Sequence, residues 1–264
     1  MRDGAVEARL DVALSERGLA RSRSHAAKLI DAGAVMVNGS PASRASTVVR
    51  ETDALTVVAS DHYVSRGAHK LVAALDAFDV DPRDRVALDA GVSTGGFSQV
   101  LLERGAERVL AIDVGHGQLA AELANERRLI VKEGVNAKNL SKESMATLFD
   151  RAEPDLVVAD LSFISLLHVL PALKEVAAPG ADFVLLVKPQ FEVGRTGVRE
   201  GIVRDPALRA DAVAAVMWGA YDLGLGTAGL IPSPIAGSHG NREYLLWLTA
   251  ERGGIPTPWE DAAR

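Results

Sequence analysis

No cysteine occurs among the 264 residues, which excludes disulfides, thiolate nucleophiles and Cys-ligated zinc and fits a reducing cytoplasm. No stretch reaches the roughly 18 uninterrupted apolar residues of a membrane helix. The first residues, Met1-Arg-Asp-Gly-Ala-Val-Glu7, show no basic segment followed by an apolar one, so no secretory signal is expected. The six histidines have no ligand spacing, and no metal site is expected. No internal repeat or low-complexity tract interrupts the chain. These absences lead to the expectation of a soluble cytoplasmic protein without metal or membrane partner.

What is present is ordinary globular material. Hydrophobic residues make up 48% and charged residues 24%, so a sizeable core is expected. The length suits one domain of about 200 residues and a small companion. Net charge is -6, but it is unevenly spread. Residues 1–60 hold eight basic against seven acidic side chains, leaving the remainder strongly acidic. Between Arg17 and Lys28 stand four cations, His25 and no acid. A basic stripe in an acidic chain is a local footprint for a polyanion.

That stripe lies in a module spanning residues 8–58. Helical spacing of Leu10, Ala13 and Leu14 runs from Arg9 to Arg17 and stops at Gly18, a C-cap residue. Ser22 or Ser24 can cap a second helix through Ile30, ended by Asp31-Ala-Gly33. Ala34–Val37, the turn Asn38-Gly39 and Ala54–Val58 complete a short hairpin. This order resembles the S4 RNA-binding domain, carried by Arg9-Leu-Asp11, Ser22–Ile30 and Gly33–Asn38-Gly39. On that resemblance Arg9, Arg21, Arg23 and Lys28 face RNA, with Arg66 just beyond the polar connector at 61–64. A plain helix-hairpin decorated with solvated charge is the alternative.

After Pro82, strands and helices alternate. Strands are expected at 85–89, 109–113, 129–132, 156–160, 183–188, 227–232 and 243–248. Helices are expected up to Glu103, Asn125 and Phe149 and over 206–223. Such alternation argues an α/β doubly wound sheet. Only Ser233–Arg242 separates the last two strands, too short for a helical crossover, so the final strand is expected antiparallel. Domains are expected at 1–60 and 65–264, joined by 61–64. Val193–Arg204, with three glycines and three arginines, is a candidate mobile loop.

Asp89-Ala-Gly-Val-Ser-Thr-Gly-Gly96 reads as strand, tight glycine turn and helix start. Asp113 ends the next strand, where a carboxylate can accept both hydroxyls of a ribose. G-x-G-x-x-G is absent and no Gly-Lys-Ser/Thr follows, so S-adenosylmethionine, which carries no phosphate, fits better than a dinucleotide. A glycine-tightened corner without ligand is the alternative. Lys70, Asp160, Lys188 and Glu243 sit at the edges of strand-like runs, and a parallel sheet would gather them on one rim. Two ammonium groups and two carboxylates there suit the deprotonation of a reluctant hydroxyl.

Asp89–Gln99 resembles motif I of FtsJ-like ribose 2′-O-methyltransferases. Further blocks are similar to the TlyA family, an S4 domain joined to such a methyltransferase: Val64–Leu71, Ala111–Gly115, Val157–Ser165, Leu186–Glu192 and Gly240–Leu248. Val92 and His116 depart from the usual alanine and tyrosine, and Asp61-His-Tyr63 departs from a more basic connector. The resemblance implies a Rossmann-like fold and methylation of cytidine ribose 2′-hydroxyls in ribosomal RNA, 16S, 23S or both. It implies Lys70, Asp160, Lys188 and Glu243 as the catalytic tetrad. It implies Gly91, Ser93, Thr94, Gly95, Gly96, Phe97, Asp113, Asn136 and Asp160 as contacts for S-adenosyl-L-methionine. Ribosomal subunits are the implied partner, met by a monomer. An inactive RNA-binding assembly factor and a membrane-lytic protein, after the family's haemolysin label, are the competing readings.

Overall fold

The computed structural model describes residues 7–20, 22–31, 33–57, 62–194, 197–198, 200–237 and 240–263, with Lys28 and Ala263 described by backbone alone. The chain forms two compact units, Met1–Arg66 and Gly67–Arg264.

The first unit runs β1 (Glu7–Arg9), α1 (Leu10–Glu16), α2 (Arg23–Asp31), β2 (Val35–Val37), β3 (Ser40–Pro41), β4 (Val48–Arg50) and β5 (Leu55–Val57). Gly18 ends α1 with φ +70, a left-handed value that costs glycine nothing. Of the two candidate caps for α2, Ser22 serves: its Oγ accepts the His25 N–H at 3.1 Å. Asn38 and Gly39 have φ 50 and 78, the two positive values that a tight hairpin between β2 and β3 requires. The core packs Leu10, Leu14, Ile30, Val35 and Val49. One expectation is corrected: Arg9 ends a strand paired with Val48 of β4 and does not begin the helix. Neither three-residue strand is long enough to show alternation.

The second unit contains α3 (Gly67–Phe78), β6 (Val86–Ala90), α4 (Gly96–Glu103), β7 (Arg108–Asp113), β8 (Leu129–Glu133), α5 (Lys142–Phe149) and β9 (Leu156–Ala159). It continues through α6 (Leu170–Val176), β10 (Asp182–Val187), α7 (Pro189–Glu192), α8 (Pro206–Asp222), β11 (Gly226–Pro232) and β12 (Tyr244–Thr249). Its seven strands lie in the order β11-β12-β10-β9-β6-β7-β8. β12 is antiparallel to both neighbours, and the pairs among β6, β7, β8, β9 and β10 are parallel. Every residue of β9 and β10 is buried, as expected for central strands covered on both faces. From β6 the chain winds out to β7 and β8 on one side and returns to β9 and β10 on the other. Open α/β sheets bind ligands outside the strand ends at such a reversal.

The helix expected up to Asn125 is a single 3₁₀ turn, Ala121–Leu123. Gly117 there adopts φ +64, and the Leu119 and Leu123 side chains fold over Gly95, within 3.1 and 2.3 Å of where its Cβ would stand. Their apolar spacing thus serves a cap over the glycine turn, not a helix face. In the expected mobile loop Arg195 and Arg199 lie outside the described residues. Its far end is tied down, because Asn241 donates to the Gly201 carbonyl at 2.7 Å and accepts the Val203 N–H at 3.3 Å.

Candidate active site

Where β6 ends, Gly91 turns with φ +92, and a Cβ there would stand 2.7 Å from the Asp160 carbonyl oxygen. Only glycine lets the ends of β6 and β9 approach so closely. The turn then positions Ser93, whose N–H donates to Asp113 Oδ2 at 2.8 Å, while the Gly115 N–H donates to Oδ1 at 2.7 Å. Two backbone bonds therefore hold the Asp113 carboxylate at its strand end and leave each oxygen one further lone pair.

These residues border a cavity of about 500 Å³ whose wall includes Gly91, Ser93, Asp113, Gln118, Asn136, Asp160 and Phe163. Asn136 is held by accepting the Lys138 N–H at 3.0 Å. Thr94, Gly95, Gly96 and Phe97 are not among the cavity's wall residues: the Thr94 carbonyl accepts the Ala120 N–H at 3.1 Å, and Phe97 is buried. These four shape the turn. Gln118, which spacing did not single out, lines the cavity and accepts the Ser93 Oγ–H at 3.2 Å.

The four rim residues form two ion pairs. Lys188 Nζ lies 2.6 Å from Asp160 Oδ1, donates to Ser162 Oγ at 2.9 Å and stands 5.9 Å from the Phe191 ring centre. Lys70 is not at a strand edge as expected but inside α3, from which it reaches Glu243 Oε2 at 2.6 Å. Val187 pairs with Tyr244, so Lys188 and Glu243 occupy the next step on adjacent strands. Lys70 and Glu243 are 8% and 3% exposed, and a buried pair that loses one partner costs about 3–5 kcal/mol. Gly237 covers this pair: a Cβ there would sit 2.0 Å from Glu243 Oε1. His239, beyond it, lies outside the described residues.

Asp89 is a further acid that sequence reasoning left without a role, although a carboxylate inside an apolar strand is itself a signal. It is fully buried, and its Oδ2 accepts the Ser98 Oγ–H at 2.6 Å. Burial first, with Asp160 and Asp113 adding repulsion, pushes its carboxyl up to about 7.

In the first unit, Arg9 Nε and Arg23 Nη2 lie 3.0 and 3.1 Å from the two oxygens of Asp11. The Arg9 guanidinium holds the Asp11 carboxyl below the usual carboxylate range. The two guanidiniums are thus organised by one buried acid and remain 50% and 63% exposed. Arg66 lies against Gly33, its Cδ 2.8 Å from where a Cβ would stand. Arg21 and the Lys28 side chain fall outside the described residues. Arg17, part of the basic stripe, donates to the carbonyls of Asp53 and Arg50 at 2.7 and 2.8 Å. Among the described residues no cluster of His, Cys, Asp or Glu could hold a metal, and no helix is long and apolar enough to cross a membrane.

Residues 63–250 match the FtsJ-like methyltransferase family. The chain belongs to the TlyA family of FtsJ-like methyltransferases. Residues 8–55 match the S4 domain. A Mycobacterium tuberculosis relative, "16S/23S rRNA (cytidine-2′-O)-methyltransferase TlyA", is 53% identical over 94% of this chain and 91% of its own length. Hemolysin A of Brachyspira hyodysenteriae is 38% identical over 90% of this chain and 98% of its own. A solved structure from Streptococcus thermophilus with a provisional hemolysin name aligns with TM-score 0.75 at 35% identity, covering 97% of this chain and 94% of that one. Family and fold imply S-adenosylmethionine as the methyl donor. The cavity fits that implication: Asp113, held by the Ser93 and Gly115 N–H groups, offers two acceptors for a ribose diol.

Proposed function

We propose that the chain methylates cytidine ribose 2′-hydroxyls of ribosomal RNA in 16S, 23S or both, using S-adenosylmethionine. One observation carries this reading. Asp160, a wall of the cavity, is also the partner of Lys188 at 2.6 Å, so donor pocket and charged rim share a residue. The name of the 53% identical relative supports the substrate.

S-adenosylmethionine supplies an electrophilic methyl group on a sulfonium. The protein's task is to place the hydroxyl in line with that carbon and manage one proton. Asp113 and Asn136 orient the donor, and Gly91, without a Cβ, lets the ends of β6 and β9 close up beside it. Lys188, aimed by Asp160 and Ser162, stabilises the negative charge that develops on the ribose oxygen as the methyl group bonds to it and the hydroxyl proton passes to solvent water. Lys70, aligned by Glu243, adds a second ammonium at the rim. Arg9, Arg21, Arg23, Lys28 and Arg66 grip RNA phosphates, with residues 1–60 as the grip, 61–64 as connector and 65–264 as the chemical domain. Thr94, Gly95, Gly96 and Phe97 support the donor by holding the turn. The chain works as a cytoplasmic monomer on ribosomal subunits.

The test uses purified full-length chain, labelled S-adenosylmethionine and isolated ribosomal subunits. Label should enter cytidine ribose with the wild type and not with Lys188→Ala. RNA binding without any transfer would leave the assembly-factor reading in its place.

A further inference from the structure

Glu192 takes no part in the chemistry above, yet it joins the two segments that carry it. It ends α7, the short helix that begins directly after Lys188. Its carboxylate accepts the Ser165 Oγ–H at 2.5 Å and the Leu166 N–H at 2.9 Å. Ser165 ends, and Leu166 directly follows, the segment Asp160-Leu-Ser-Phe-Ile-Ser165, which supplies Asp160 and Ser162 to Lys188. In that segment Phe163 is 90% exposed with φ 64, a left-handed conformation that a bulky side chain adopts only when its surroundings impose it. The neighbouring contact with Phe191, at 5.2 Å between ring centres, also ties this segment to α7.

We infer that Glu192 is a positioning residue, a strap that fixes the Ser162–Ser165 turn against the Lys188 segment so that Lys188 stays aimed at the target hydroxyl. This rests on the methyltransferase reading above. A carboxylate is well suited to the task, since it accepts a hydroxyl and an amide together without donating. Burial raises the Glu192 carboxyl above its ordinary range, with the Leu166 and Ser165 bonds and His168 opposing. Ionic charge is not essential to the strap, because glutamine keeps an acceptor for Leu166 and can donate to Ser165.

The experiment measures methyl transfer to ribosomal subunits by Glu192→Ala, Glu192→Gln and Ser165→Ala, with Lys188→Ala as control. Turnover is expressed per molecule competent to bind S-adenosylmethionine by calorimetry, which removes any loss of folded protein. Glu192→Ala should lose about 10–100-fold in kcat, the scale of an angstrom-sized misplacement of a catalytic group. Its affinity for S-adenosylmethionine should stay within about threefold of wild type. Glu192→Gln should restore most of the turnover, Ser165→Ala should fall between, and amide exchange at 161–166 should quicken in Glu192→Ala. Wild-type turnover per competent molecule in Glu192→Ala overturns the inference while leaving the methyltransferase reading intact, provided Lys188→Ala is inactive. No transfer by the wild type overturns both.

Discussion

Replacing Asp113 by alanine isolates the donor pocket from the chemistry. Each Asp113 oxygen already accepts one backbone N–H, from Ser93 or Gly115, and can accept one ribose hydroxyl besides. Hydrogen bonds to a charged group contribute about 1.5–3 kcal/mol each. Two at the lower bound give about 3 kcal/mol, or roughly a 100-fold loss of affinity for S-adenosylmethionine. Asparagine keeps one carbonyl acceptor and loses the charge, so about a tenfold loss is expected. Ser93 is exposed and Gly115 half-exposed, so water can replace the lost acceptor for their N–H groups, and melting without ligand should shift little. Isothermal titration calorimetry on wild type, Asp113→Ala and Asp113→Asn supplies the affinities. NAD should give no binding heat. Affinity within threefold of wild type in Asp113→Ala would place the ribose carboxylate elsewhere and refute the reasoning.

Asp89 should impose a pH dependence on ligand-free stability. Its carboxyl is raised from 3.8 to about 7 in the folded chain, so its contribution is fully present below 3.8 and is lost as pH rises through about 7. Asp89→Asn keeps an acceptor for Ser98 and should melt progressively higher than wild type as pH rises from about 4 to about 7, with the gap levelling off above that. Parallel melting curves across that range would contradict this. Arg23→Ala should weaken ribosomal RNA binding and reduce the slope of log K against log salt by about 0.7–0.9, without moving S-adenosylmethionine affinity. An unchanged slope would mean that Arg23 serves only its pair with Asp11.

Much of the second unit was legible because central strands are nearly continuous apolar runs, as in Leu156–Ala159 and Asp182–Val187. The antiparallel β12 followed from the short connection before it, and the β2–β3 turn from the demand of Asn38-Gly39 for two positive φ values. Failures came where spacing carries no unique meaning. Leu119 and Leu123 have helical spacing but cover Gly95, and β1 and β4 are too short to alternate. Asp160, Lys188 and Glu243 could be placed on one edge from strand direction, but Lys70 lies inside α3, and the division into Lys70–Glu243 and Lys188–Asp160 depends on side-chain reach across 173 and 28 positions. Glu192 was invisible as a strap for the same reason, since its partners lie 26 and 27 positions away.

Methylation by this chain is tested most directly by mapping 2′-O-methyl groups on ribosomal RNA from cells that carry the wild type, the Lys188→Ala variant or neither. The wild type should add at least one cytidine mark that is absent from both other samples, with the variant present at wild-type abundance. Identical maps from all three, or a Lys188→Ala map equal to wild type, would contradict the account.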